Sequence, residues 1–276
     1  MRIDDFASVF RSAVKPTFAY TPLELHTAVV VTDRVDAEPL LKEVQALLSH
    51  MDTGEHVALV TLRAPEDWAD VPSLLARIEA IRPQLLIAHR NLLADKDLDH
   101  SVGTIVDTLT QKLQQPVLLL PEDAPLREAT RVMVVTDHLT GDDRLVNWAI
   151  HVTPDEGTLL LAHIEDVDVF NRYADVLGRM TGVPTESVVE GMKEKLLGLP
   201  LSYVRAVEAD MRRHDVRETV VPLVELGQPL ADYARLIQEH DVRLLVCNTK
   251  DPDQRAMQAL SHALAVELRG LPLLLL

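Results

Sequence analysis

Short apolar runs alternate with longer amphipathic segments along most of the chain. The run at 27–33, TAVVVTD, is rich in β-branched residues, which is typical of a strand buried on both faces of a sheet. The segment that follows, 37–50, places Leu40, Val44 and Leu47 on one face at helical spacing. This spacing predicts an amphipathic helix.

Further segments of the same two kinds follow. We predict strands at 27–33, 55–62, 84–90, 116–121, 131–137, 157–164, 218–226, 242–248 and 271–276. We predict helices at 3–14, 37–50, 70–81, 101–115, 143–152, 201–214, 229–240 and 254–270. Strands that alternate with helices of this length indicate β-α-β units and a parallel sheet, so the predicted fold class is α/β.

The same series of elements occurs twice in the chain. Val-Val-Thr-Asp ends at Asp33 and again at Asp137, and LLIAHR at 85–90 corresponds to LLVCNT at 244–249. The interval between these two matches is longer in the second half. The first copy therefore lacks one strand–helix unit.

This repeat divides the chain into parts. We predict an N-terminal helical arm at 1–25, a shortened first domain at 26–125 and a second domain at 126–276. The second domain carries an additional stretch at about 165–198, where glycine and proline residues predict several short helices. Each domain is expected to be a doubly wound parallel sheet of the Rossmann-like or flavodoxin-like kind.

The last strand of each copy is a run of apolar residues without charge, PVLLLP at 116–121 and LPLLLL at 271–276. We expect both strands at sheet edges, where an uncovered apolar edge invites association. Two arrangements would cover them. The two edges pair with each other, or they pair with the same edges of a second chain, which leaves a homodimer open.

Composition excludes some classes of partner. The 276 residues carry a formal net charge of −16, which argues against nucleic-acid binding through phosphates. No apolar run is long enough to span a membrane, and Asp4 and Asp5 stand where a signal peptide would carry positive charge. We therefore expect a cytoplasmic protein.

Cys247 is the one cysteine and ends an apolar run, so we expect a buried thiol.

Polar residues follow several of the predicted strands. In a doubly wound sheet, ligands bind beyond the carboxyl ends of the strands, where the strand order reverses. The alternative is that these Thr-Asp and Asn-Thr pairs only cap the next helices. The second copy would line its crevice with Thr136, Asp137, Asn248, Thr249 and Lys250, and the first copy with Thr32, Asp33, His89, Arg90 and Thr104.

The sequence predicts no catalytic or metal-binding residues. The 11 histidines are scattered and form no HExxH motif. His138 and His163 end neighbouring strands, but no cysteine or carboxylate cluster accompanies them. A G-x-S-x-G motif is also missing. We therefore expect a protein that is not an enzyme.

Three features make the chain resemble a tandem universal stress protein over about residues 26–276. Strands end in Asp33 and Asp137, Gly-x-Pro at 227–229 opens a helix after a strand, and the last helix of each copy leads into a short apolar strand.

Many members of that family bind ATP with a loop patterned G-x2-G-x9-G-[ST]. Gly103-Thr104 matches the end of the pattern, whereas the two earlier glycine positions fall on Arg90 and Leu93. The corresponding stretch of the second copy, 248–264, contains no glycine, and Ser261 stands near the final serine position.

The resemblance implies a stress-response or signalling protein that acts by sensing a ligand or by associating with a protein partner of unknown identity. Because the loop is degenerate, no cofactor is expected, although ATP stays open as a ligand. The alternative is an adenine-nucleotide binding protein, or a slow ATPase, that uses the second domain's crevice. A third interpretation is an adaptor that docks through 165–198.

Overall fold

The structure is a computed structural model. It describes residues 16–51, 56–93, 101–121, 128–135, 143–181, 185–249 and 259–276. The helix predicted at 3–14 lies outside the described residues.

The first half of the described chain alternates strands and helices as the sequence pattern predicts. Asp70 caps the second helix by accepting from the Ser73 N–H group, and the Ser73 side chain accepts in return from the Asp70 backbone. Such a capping box fixes where a helix begins. The elements are β1 Thr27–Thr32, α1 Glu38–His50, β2 Ala58–Arg63, α2 Val71–Ile81, β3 Leu85–His89, α3 Thr104–Lys112 and β4 Val117–Leu120.

The second half repeats this order with one further helix–strand unit and one additional helix. Its elements are β5 Arg131–Val135, α4 Asp143–Val152, β6 Thr158–Asp166, α5 Val167–Thr181, α6 Thr185–Arg213, β7 Thr219–Gly227, α7 Pro229–Glu239, β8 Leu244–Cys247, α8 Ala259–Glu267 and β9 Leu273–Leu275.

The two halves share one sheet of nine strands, in the order β2-β1-β3-β4-β9-β8-β5-β6-β7. The first half contributes four strands and the second half five, as expected for a shortened first copy. β4 and β9 pair antiparallel, with Leu118 opposite Leu274, whereas the other neighbouring strands are parallel. Of the two arrangements that the sequence left open, pairing of the two terminal strands with each other is therefore confirmed, and it joins the sheets of the two copies into one.

Apolar layers cover both faces of the sheet. Side chains alternate along β1, so Val30 belongs to one layer and Val31 to the other. Helices α1, α4 and α6 contribute to the layer of Val30, and helices α2, α3, α7 and α8 contribute to the layer of Val31. A strand buried on both faces needs apolar residues at every position, which accounts for the continuous runs in the sequence.

The additional stretch at 165–198 does not form several short helices, so that prediction is wrong. It forms α5 and the first part of α6, a helix of 29 residues that continues through Pro200. The separate helix predicted at 201–214 is the second part of α6. Tyr203 and Val207 are fully buried in the apolar layer, and this packing outweighs the hydrogen bond that proline cannot donate.

The segment 16–25, which is neither helix nor strand and is here called the N-terminal strap, binds the start of the described chain to the second half. The backbone N–H groups of Ala19, Tyr20 and Thr21 donate to side chains of α4 and α6. The Tyr20 N–H group donates to Asp210 at 2.7 Å. This bond is the main reason why the pKa of Asp210 lies below its ordinary value, and a hydrogen bond from Arg213 lowers the pKa further.

Candidate functional site

Each half has one position where a doubly wound sheet would bind a ligand, and the two positions lie at opposite ends of the strands. The strands within each half are parallel, and the two halves meet through the antiparallel β4–β9 pair. The carboxyl ends of β1 and β3 therefore lie at one end of the strands, and those of β5 and β8 at the other. β1 pairs with β3 and β5 pairs with β8, so each crevice lies where the strand order reverses.

The first crevice is filled by hydrogen bonds among the residues predicted to line it. The Nε2 atom of His89 lies 3.0 Å from Asp33 Oδ1 and 3.5 Å from Thr32 Oγ1. Its Nδ1 atom lies 3.0 Å from the backbone oxygen of Arg90. The His89 side chain is buried. The structure thus brings Asp33 and His89 together, but as partners of each other.

The second oxygen of Asp33 is also engaged. Asp33 Oδ2 accepts a hydrogen bond of 2.8 Å from the backbone N–H group of Leu93. Leu93 stands at the second glycine position of the phosphate-loop pattern, and its φ angle of 54° is the left-handed conformation that glycine adopts most easily. Leu93 thus has a backbone conformation that glycine would adopt without strain, and its N–H group is bound by the Asp33 carboxylate.

Gly103 ends the same loop, at a position that has no room for a side chain. Its φ angle is 97°, and an added Cβ atom would lie 3.0 Å from the Cα and N atoms of Asn91. The Gly103 N–H group donates to Ser101 Oγ at 3.0 Å. Thr104 is the first residue of α3 and is exposed, so it lies beside the crevice without filling it.

Replacing Gly103 with alanine is expected to lower the free energy of unfolding by about 2 kcal/mol, because the change combines an unfavourable φ angle with a backbone contact. Chemical denaturation in urea measures this loss. Gly191→Ala in α6 is a matched control, since its added Cβ atom meets open space. That change is expected to stabilise the protein by about 0.5–1 kcal/mol. Equal effects of the two substitutions would contradict the account of Gly103.

Arg90 does not line the first crevice, contrary to the sequence-based interpretation. Its guanidinium group is buried and donates to the backbone oxygens of Ala265 and Leu268, the latter at 3.1 Å. These carbonyl groups lie at the carboxyl end of α8, where a cation is favourable. Burial and the nearby charge of Arg269 lower the pKa of Arg90 to about 10, so Arg90 remains charged at neutral pH.

In the second crevice, two of the predicted ligand-binding residues form structural hydrogen bonds. The Thr249 Oγ1 atom and backbone N–H group both donate to the backbone oxygen of Leu276, at 2.6 and 2.7 Å. Ser261 Oγ donates to the backbone oxygen of Asn248, and the Asn248 side chain is half-buried. Thr136, Asp137 and Lys250 lie outside the described residues, so their roles stay predictions.

Cys247 is fully buried at the end of β8. Burial raises the pKa of its thiol to about 12, so the thiolate needed for nucleophilic reactions does not form at neutral pH. The prediction of a buried thiol is confirmed.

His163 is a candidate ligand-binding residue that the sequence analysis considered only as a metal ligand. Its side chain is buried, its Nε2 atom lies 3.4 Å from Glu165 Oε2, and its Nδ1 atom has no hydrogen-bond partner among the described residues. Ala162, the preceding residue, pairs with Val135 at the end of β5. The sequence does contain a signal for this position. A histidine within the apolar run TLLLAHI at 158–164 indicates a buried polar side chain that needs a partner.

Neither a metal cluster nor a membrane span is found where the structure describes the chain. Over those residues, no group of three or more histidine, cysteine or acidic side chains is close enough to hold a metal ion. The helices described there include none that is both long and apolar enough to cross a bilayer.

Comparison with known proteins identifies the fold. No protein-family model and no curated protein matches the chain. Among solved structures, the chain is similar to a universal stress protein from Archaeoglobus fulgidus DSM 4304, with a TM-score of 0.55 and 12% identity over 91% of this chain and 96% of that chain. It is also similar to a protein from Pseudomonas aeruginosa UCBPP-PA14 that is provisionally named a universal stress protein, with a TM-score of 0.51 and 15% identity over 91% and 82%. The chain therefore has the fold of universal stress proteins across both halves.

Proposed function

We propose that the protein is a non-enzymatic cytoplasmic stress-response or signalling protein of the universal stress type, whose first half no longer binds ATP through a phosphate loop. The observation that carries this proposal is the 2.8 Å hydrogen bond from the Leu93 N–H group to Asp33. A triphosphate at this loop would have to displace a carboxylate that is also bound to His89, or else lie against it. Two anions at one N–H group repel each other.

Arg90, which stands at the first glycine position of the pattern, supports the same conclusion. Its side chain binds the carboxyl end of α8, so this position connects the first half to a helix of the second half. Neither position offers the bare backbone that a phosphate loop uses to approach its ligand closely. In the second half, the stretch 248–264 also lacks glycine, so it offers no such bare backbone either.

A protein of this kind would act through association or by sensing a small ligand. Within the described residues, the candidate polar side chains of the first crevice bind each other, and a buried thiol of raised pKa offers no nucleophile. These features favour a binding role over catalysis.

One observation favours the alternative, an adenine-nucleotide binding protein or slow ATPase that uses the second crevice. The buried Nδ1 atom of His163 lacks a partner in the described part of the chain, and a buried polar atom usually has one. An amino group such as that of adenine would donate a hydrogen bond to it once a covering side chain has moved, because the atom itself has no exposed surface. This alternative requires the base to bind at the carboxyl end of β6.

Equilibrium dialysis against radiolabelled ATP separates the two functions. The proposal predicts no retention at millimolar ATP. The alternative predicts micromolar retention that is lost in Asp137→Ala and reduced in His163→Phe, whereas Asp33→Ala in the first half leaves it unchanged. Retention that is lost only in Asp33→Ala would contradict both, because it would place the nucleotide in the first crevice.

A further inference from the structure

The N-terminal strap lies on side chains of two helices that cover the same face of the sheet. Asp143, Asn147 and His151 follow each other every four residues along α4, so they share one face of that helix. Tyr203 and Asp210 lie two turns apart on α6 and likewise share one face. We call the surface formed by these five side chains the strap site.

The strap site binds the strap mainly through its backbone. The Asn147 amide accepts from the Thr21 N–H group and donates to the Ala19 oxygen, both at 2.9 Å. Three further bonds join the Ala19 N–H group to Asp143 at 3.2 Å, the Tyr20 N–H group to Asp210 at 2.7 Å and the Thr21 oxygen to His151 Nε2 at 3.0 Å. Backbone groups are the same in every sequence, so another peptide can make all five of these bonds.

Two aromatic side chains of the strap also contact the strap site. Phe18 is buried, and its ring packs edge-on against Tyr203 with 6.1 Å between the ring centroids. The half-buried Tyr20 ring lies 5.5 Å from the ring of His151 and 5.0 Å from that of His214. The residue between these two aromatic residues and the residue after them are exposed. The side chains that the site selects are therefore an aromatic pair separated by one residue.

From these contacts we infer that the strap site is a binding site for a linear segment of another protein, in which one residue separates two aromatic residues. The strap occupies this site as an internal ligand. Backbone bonds supply affinity and side-chain contacts supply selectivity, as in known modes of peptide recognition. The inference gives the association role proposed above a site and a class of partner, and it rests on that role.

The short connection between the strap and its own chain favours a separate partner over a second copy. Leu25, four residues after Thr21, is fully buried two residues before β1. Four residues span at most about 14 Å, so an exchanged strap requires an interface that places the strap sites of two copies side by side. A separate peptide requires no such interface. Of residues 16–21, Phe18 alone is buried, so a partner with one aromatic anchor matches what it displaces.

Fluorescence anisotropy on the full chain tests this inference with a labelled peptide of the strap sequence, PTFAYTPLEL at 16–25. In the wild-type protein the strap competes at an effective concentration of about millimolar, so the peptide is expected to bind weakly. Phe18→Ala in the protein removes the buried anchor of its own strap and is expected to tighten peptide binding about tenfold or more. Thr17→Ala is the matched control, because Thr17 is exposed, and is expected to behave like the wild type.

Two further changes separate recognition from an effect on folding. A peptide that carries Phe18→Ala is expected to lose its binding to the Phe18→Ala protein, and this comparison needs no second protein variant. Adding Asn147→Ala to that protein is expected to abolish binding of the unaltered peptide, with circular dichroism to show that the variant is folded.

The inference is overturned if the peptide binds the Phe18→Ala protein no tighter than the wild type, or if the altered peptide binds as well as the unaltered one. A wild-type dimer in sedimentation velocity that the peptide dissociates also overturns it, because the strap of a second copy is then the occupant. Retention of ATP in dialysis bears on the proposed function and not on peptide binding, so a failure of either is distinguishable from a failure of the other.

Discussion

Arg90→Ala is expected to lower the free energy of unfolding by about 3 kcal/mol. The substitution removes two charge-assisted hydrogen bonds to Ala265 and Leu268, each with a contribution of about 1.5–3 kcal/mol. It also leaves those carbonyl groups without their partner at the carboxyl end of α8. Part of this loss is offset because a charge no longer has to be buried.

Urea denaturation monitored by circular dichroism measures the effect of Arg90→Ala. Arg269→Ala is the matched control, because Arg269 is a nearby arginine that is exposed and raises the electrostatic cost of charging Arg90. This control is expected to stay within about 0.5 kcal/mol of the wild type. A loss below about 1 kcal/mol for Arg90→Ala would show that the guanidinium group does not hold the two halves together.

Asn147→Ala is expected to destabilise the protein by about 2–3 kcal/mol and to release the N-terminal strap. The buried amide of Asn147 accepts from the Thr21 N–H group at 2.9 Å and donates to the backbone oxygen of Ala19 at 2.9 Å. Alanine also removes the bond of 2.8 Å from the Asn147 amide to the Asp143 backbone oxygen. Three neutral hydrogen bonds at about 0.5–1.5 kcal/mol each give a loss of this size, because water reaches the groups left on the exposed residues Ala19 and Thr21.

Hydrogen exchange at the Thr21 amide measures the release of the strap directly and should accelerate together with the loss of stability. Asn147→Asp is a control of similar size that loses the amide N–H donor. It keeps an oxygen that accepts from the Thr21 N–H group, but its second oxygen repels the Ala19 backbone oxygen. We expect it to be at least as destabilising as alanine. Unchanged exchange at Thr21 in Asn147→Ala would contradict this account of the strap.

The α/β fold was predictable because its strands are buried on both faces. Runs such as 27–33 therefore stand out from the helices between them, and the repeat of Val-Val-Thr-Asp at Asp33 and Asp137 marks equivalent positions. The shape of α6 was not predictable in the same way. Helix propensities predict breaks at Gly191, Gly198 and Pro200. The continuous helix is instead stabilised by its later residues, which pack in the apolar layer against residues distant in sequence.

The candidate site was predictable in its residues but not in their roles. The sequence places Asp33 and His89 at the ends of two adjacent strands, and the structure shows them in contact. It cannot show that Asp33 accepts from Leu93, 60 residues away, because that contact depends on the path of the loop after β3. The bonds from Arg90 to α8 likewise depend on how the two halves meet.

The crystal structure of the protein from crystals grown with millimolar ATP tests the central claim most directly. That claim is that the protein's own carboxylate takes the place of a phosphate at the loop after β3. The account predicts that Asp33 stays bound to the Leu93 N–H group and that no nucleotide density lies against Leu93 or Gly103. A triphosphate on the Leu93 and Gly103 N–H groups, with the Asp33 side chain turned away, would contradict it.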